Sequence, residues 1–116
     1  MRIAIIGSRN FNNRTLVINR ITEIINNNLI DQVISGGANG VDSWAEEVCK
    51  HKKININIIR PINPTEKINY LYRNIEIITL ADKVYAFWDG KSKGTQFVIN
   101  YCRARNKPLK IIKENE

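Results

Sequence analysis

The 116-residue chain reads as an α/β protein: a Rossmann-like, doubly wound, mainly parallel five-stranded sheet with helices on both faces. Three observations predict this. Short apolar runs alternate with stretches of helical period from end to end. The runs suit parallel strands covered on both sides. Several end in glycine-bearing turns, and right-handed crossovers then restrict the topology to a doubly wound sheet.

Each element has its own warrant. "RIAIIG" (2–7) is a short apolar run closed by glycine, hence a buried first strand. From Arg14 to Asn28, apolar residues at Leu16, Val17, Ile18, Ile21, Ile24 and Ile25 keep helical spacing. "DQVISGG" returns to strand, and "NGVDSWAEEVCKHK" sets Val41, Trp44, Ala45 and Val48 on one helical face. "ININIIRP" alternates as a strand and stops at Pro61. The next helix takes Pro64 in its first turn and a stripe of Ile68, Leu71, Tyr72, Ile75 and Ile78. "KVYAFW" is a strand, "SKGTQFVINYCRARN" a helix, and "PLKIIK" a closing strand. One domain is expected over residues 1–113, with 114–116 as a tail.

At this length roughly 65% of the unfolded surface is buried on folding, enough for one core. A sizeable ligand site must therefore lie on the rim of that core, or be completed by a second copy in a homo-oligomer. A hydrophobic fraction of 43% and a charged fraction of 25% are those of an ordinary globule. No apolar run nears the ~18 residues of a membrane span, and "MRIAIIGSRN" is a poor signal peptide, so a cytoplasmic location is expected. Cys49 and Cys102, far apart in helical patterns, are expected as buried free thiols, and the lone His51 makes no metal centre. No cofactor is expected. The net charge of +7 favours anionic partners, with basic residues gathered at "KHKK" (50–53) and along Arg103, Arg105, Lys107, Lys110 and Lys113.

In doubly wound sheets the ligand crevice opens at the carboxyl ends of the strands. Gly7, Ser8 and Arg9 follow the first strand. Ser35, Gly36, Gly37 and Ala38 follow the second, with Asp42 in the next helical turn. After the fourth strand come Trp88, Asp89 and Gly90, then Ser92, Gly94 and Thr95. Glycines let backbone approach a ligand, and helix N-termini offer unpaired N–H groups and partial positive charge to an anion. Arg73 and Asn74 sit one step off the third helix's apolar stripe, where a planar guanidinium can clamp phosphate. Trp88 is either an aromatic wall for a base or core. Neither a Walker loop nor the G-x-G-x-x-G fingerprint is present.

"IIGSRNF", "VISGGANGVDSWAEE", "YLYRNIEIITLADKVYAFWDGKSKGTQFVI" and "KPLKII" resemble the YspA-like branch of the SLOG superfamily over nearly the whole chain. That resemblance implies a Rossmann-like domain for nucleotides or nucleotide-derived signals, among them cyclic ADP-ribose-type molecules. "SGGANGVD" is also similar to a loop of the DNA-processing protein A group, which binds single-stranded DNA. The lonely-guy phosphoribohydrolases carry P-G-G-x-G-T-x-x-E and an arginine on the preceding helix. Gly94 and Thr95 match that turn and Arg73 the arginine, but Val98 stands at the glutamate's position. Cleaving an N-glycosidic bond needs a carboxylate near the oxocarbenium-like centre, and valine supplies none. The expectation is therefore binding without catalysis of a ribose-phosphate-containing small molecule, as a sensor or by sequestration. Two alternatives stand beside it: a hydrolase in which Asp42, Asp89 or Glu76 replaces the glutamate, and a single-stranded nucleic-acid-binding module using the basic C-terminal stretch.

Overall fold

The computed structural model describes residues 1–116. Strands and helices alternate strictly: β1 (Arg2–Gly7), α1 (Arg14–Asn26), β2 (Gln32–Ser35), α2 (Val41–Lys52), β3 (Ile56–Ile58), α3 (Lys67–Leu80), β4 (Lys83–Trp88), α4 (Lys93–Ala104) and β5 (Leu109–Lys113). All pairings are parallel, in the order β3-β2-β1-β4-β5. The fold class is the one the sequence predicts.

The two-residue period of β1 divides the core. Ile3 and Ile5 pack with Val17, Ile21 and Ile25 of α1 and with Val41, Ala45 and Val48 of α2. Ala4 and Ile6 pack on the opposite side with Ile77 and Ile78 of α3 and with Val98 and Cys102 of α4. Each fully buried aliphatic chain contributes roughly 1.5–3 kcal/mol relative to exposure, so both layers anchor the strand ends from which the loops spring. Both thiols are buried and free. No helix is long and apolar enough to cross a membrane.

Two boundaries differ most from the sequence reading, each for a local reason. β3 is only Ile56–Ile58; beyond Ile59, whose amide still donates to Ser35 O at 2.8 Å, Arg60 turns back to donate to Gly37 O at 3.2 Å. α3 starts at Lys67 and not at Pro64. Asn63 Oδ1 accepts from the Thr65 amide at 3.2 Å and its hydroxyl at 2.7 Å, tying that segment into a turn. Glu114 is held on the β1–α1 loop, accepting the Asn12 amide at Oε1 (2.9 Å) and Asn13 Nδ2 at its carbonyl (3.0 Å).

The apolar stripe of α3 is rotated from the expected one. Ile68 and Tyr72 are 47% and 61% exposed, while Asn74, Ile77 and Ile78 are buried. Only the C-terminal half of α3 packs in the sheet's apolar layer. Its N-terminal half borders the carboxyl edge, where the inward-facing positions are polar.

Candidate functional site

The strand order reverses between β1 and β4, which opens a crevice at their carboxyl ends. Ser8 stitches the two walls together. Its amide donates to Phe87 O at 2.9 Å, and its Oγ lies 3.2 Å from Thr95 Oγ1 and accepts the Asp89 amide at 3.2 Å. Asp89 Oδ1 in turn accepts the Lys91 and Ser92 amides, both at 2.8 Å. Burial works to raise the Asp89 pKa, but the Ser92 and Lys91 amides outweigh it and hold the carboxyl below its usual range. Ser92 caps α4, its Oγ accepting the Thr95 amide at 3.3 Å. The Gly94 amide falls in the first turn, where a helix supplies no acceptor, so it remains open to a ligand.

After β2 the chain enters α2 through Gly40, whose φ of 79° lies in the left-handed region that favours glycine. A Cβ there would come within 2.9 Å of Arg9 O, so this turn rests directly on the one after β1. Asp42 folds back from the first turn of α2, and its Oδ2 accepts the Ala38 amide at 3.0 Å. It is only 5% exposed, and its Oδ1 has no hydrogen-bond partner. Burial pushes its pKa up to about 6, against the opposing pull of the Ala38 amide and the Arg73 charge.

Helix α3 forms the remaining wall. Tyr70, Arg73, Asn74 and Ile77 fall at i, i+3, i+4 and i+7, one helical face, and all border the crevice. Arg73 Nη1 donates to Gly36 O at 2.7 Å and its Nε to Asn74 Oδ1 at 2.9 Å. Its guanidinium lies 5.4 Å from the Tyr70 ring centroid, and that of Arg9 lies 5.7 Å from the same ring. Both are within cation–π range, which sets two positive charges around one aromatic platform. Burial lowers the Arg73 pKa, with nearby Asp42 acting in the opposite sense.

Together these walls bound a cavity of about 680 Å³. Of the residues expected at a site, Gly7, Arg9, Gly36, Ala38, Asp42, Arg73, Asn74, Asp89, Ser92, Gly94 and Thr95 line it. Five do not. Ser8 is buried behind the wall in the bonds just described, and Ser35 Oγ accepts the Gly37 amide at 3.4 Å. Gly37 backs onto Arg60 and Ile58, and Gly90 turns outward into open space. Trp88 lies outside the cavity lining: its indole N–H donates to Ser92 O at 3.1 Å and braces the β4–α4 loop. Asn12, Tyr70, Lys91 and Glu114 line the cavity without having been singled out. The spacing of Tyr70 from Arg73 and Asn74 is a sequence signal that would have found it; Glu114 arrives only through tertiary folding. Among the acids weighed as replacements for a glutamate, Asp42 and Asp89 reach the cavity and Glu76 is exposed outside it. Val98 lies fully buried in the α3–α4 layer, outside the cavity. No group of three or more side chains suited to holding a metal assembles.

Fold and cleft define a Rossmann-like domain of the SLOG type, its crevice built at the topological switch point. The chain belongs to the DNA recombination-mediator protein A family, whose model matches residues 1–60, the stretch that carries the turns after β1 and β2. A solved structure of DNA processing protein A from Helicobacter pylori, described for its single-stranded DNA binding mode, is similar with a TM-score of 0.74 and 25% identity. That likeness covers 96% of this chain and 64% of the other, so this chain spans less than two thirds of that relative. A search of curated proteins finds no match.

Proposed function

We propose that the cleft binds a phosphate-bearing nucleotide unit and holds it without cutting it. The observation that carries this is the convergence of Arg9 and Arg73 around Tyr70, on one cavity with the N-terminus of α4. Guanidinium forks and helix amides suit phosphate oxygens, each charged hydrogen bond contributing roughly 1.5–3 kcal/mol. Asp42 and Asp89 add acceptors for ligand O–H or N–H groups, so the cleft is suited to more than a bare anion. Valine at position 98 supplies no carboxylate where the lonely-guy enzymes carry glutamate. Within its family the chain is read as the YspA-like branch, on its GSR, SGGANG and DGKSKGT turns. The preferred ligand is a free nucleotide derivative, such as an ADP-ribose-type molecule, kept by a sensor or a sink. The same reading includes a homo-oligomer, for which exposed Ile62, Ile68 and Tyr72 offer apolar surface; light scattering at working concentration tests it.

A second reading, favoured by the family match and by the single-stranded DNA binding mode described for the relative, is that the unit belongs to a single-stranded nucleic acid. It would use the cleft and not the basic stretch singled out in the sequence. α4 starts at the cavity and runs ~18 Å away from it over 12 residues, which carries Arg103 and Arg105 to the opposite edge of the sheet. Calorimetry with ADP-ribose and AMP, beside anisotropy with a thymidine oligomer at ~50 and ~200 mM salt, separates the two. A strand engaging several phosphates weakens steeply with salt; a mononucleotide does so far less. Replacing both Arg9 and Arg73 by alanine is expected to weaken either ligand at least about tenfold. Unchanged affinity in that double variant would overturn the cleft assignment.

A further inference from the structure

We propose that the Asp42 carboxylate reads a hydroxyl of the bound sugar, so that the cleft prefers ribose to 2′-deoxyribose; this rests on the nucleotide reading above. Asp42 borders the cavity, yet only one of its oxygens is used. A buried carboxylate oxygen without a donor is costly, and it is satisfied when a donor arrives with the ligand. The χ2 torsion of aspartate is broad and roughly two-fold. Rotation about it is the movement the proposal requires to bring the idle oxygen, itself buried beside the cavity, to a donor on the ligand.

Its neighbours define the donor. A Cβ placed on Gly36 would meet Arg73 Nη1 at 2.5 Å and Asp42 Oδ2 at 3.2 Å, so cation and carboxylate flank a single backbone carbon. Phosphate goes to the cation and is repelled by the anion. The group facing Asp42 must then be a neutral donor attached close to the phosphate. Sugar hydroxyls meet that description, whereas a base amine lies farther along the nucleotide. An acid on a ribose hydroxyl at the carboxyl edge of a doubly wound sheet is sound recognition chemistry. DNA offers no 2′-hydroxyl, so the inference separates this cleft from a simple DNA site.

Paired ligands that differ only in the sugar test it on the wild-type protein: AMP against 2′-deoxy-AMP and 3′-deoxy-AMP, and a uridine oligomer against its deoxyuridine counterpart, by calorimetry. At least one deoxy form is expected to bind about tenfold more weakly or worse, with Asp42→Asn abolishing the difference. Asp42→Ser, which keeps a short polar side chain in the first turn of α2 but has no carboxylate, serves as the second variant. Equal affinity for every ribo and deoxy form overturns this inference and leaves the proposed function standing. Discrimination that survives both variants overturns the assignment to Asp42. Failure of every ligand to bind overturns both.

Discussion

Replacing Asp42 with asparagine is expected to stabilise the protein at neutral pH and to do little in acid. The amide resembles the protonated acid in shape, and it can accept the Ala38 amide as Oδ2 now does. The folded pKa of about 6 exceeds the ordinary 3.8, so between those values the native state holds a proton that the unfolded chain has lost. The group's contribution to stability is therefore greatest below the unfolded pKa and falls as pH rises through about 6. A shift of that size corresponds to about 3 kcal/mol at pH 7.5 and well under about 1 kcal/mol near pH 4. For a chain of this length about 3 kcal/mol is roughly 10 °C in Tm. Urea titrations of both proteins at the two pH values provide the assay. A variant that is neutral or destabilised at pH 7.5, or that gains equally at pH 4, would refute the reasoning. It would mean that the buried oxygen is satisfied after all, removing the support for a hydroxyl reader as well.

Val98→Glu places a carboxylate in the α3–α4 layer, where Val98 is fully buried, and should cost on the order of 3 kcal/mol or more without conferring release of base from AMP; chemical denaturation and a base-release assay check both parts. Gly36→Ala sets a methyl 2.5 Å from Arg73 Nη1, which must shift and give up its bond to Gly36 O. Ligand affinity should fall and stability should drop by about 1–3 kcal/mol, as calorimetry and thermal melts would show. Ser8→Ala removes the contacts of Ser8 Oγ with Thr95 and the Asp89 amide, which are buried or partly buried, and should cost about 1–3 kcal/mol in a denaturant titration, with ligand affinity lowered as the two walls lose register.

The fold was legible because its signals are local. "RIAIIG" and "KVYAFW" must be strands when both faces are covered, and the intervening helical periods leave one class of sheet. The turns at Gly7, Gly36 and Gly94 were legible for the same reason: they end strands or open helices. The register of α3 was not. Reading its most apolar stripe as the buried one assumes that the whole helix rests on apolar sheet, and the half beside the crevice does not. That assumption pointed Tyr72 inward and hid Tyr70. Trp88 misled in another way, since aromatic character says nothing of where an indole N–H will find its acceptor. Lys91 and Glu114 join the cavity through turns and long-range contacts that no periodicity encodes.

The stitching of β1 to β4 also bears on assembly during synthesis. Ile3 pairs with Lys83, eighty positions further along, and the same separation joins Arg2 to Asp82. Contacts of such range form late and slowly. A nascent chain displaying only residues 1–60 carries the turns after β1 and β2 but lacks Tyr70, Arg73 and the start of α4. The complete cavity arrives only when the last third of the polypeptide docks, and a ligand that fills it would act as a clasp on that final step.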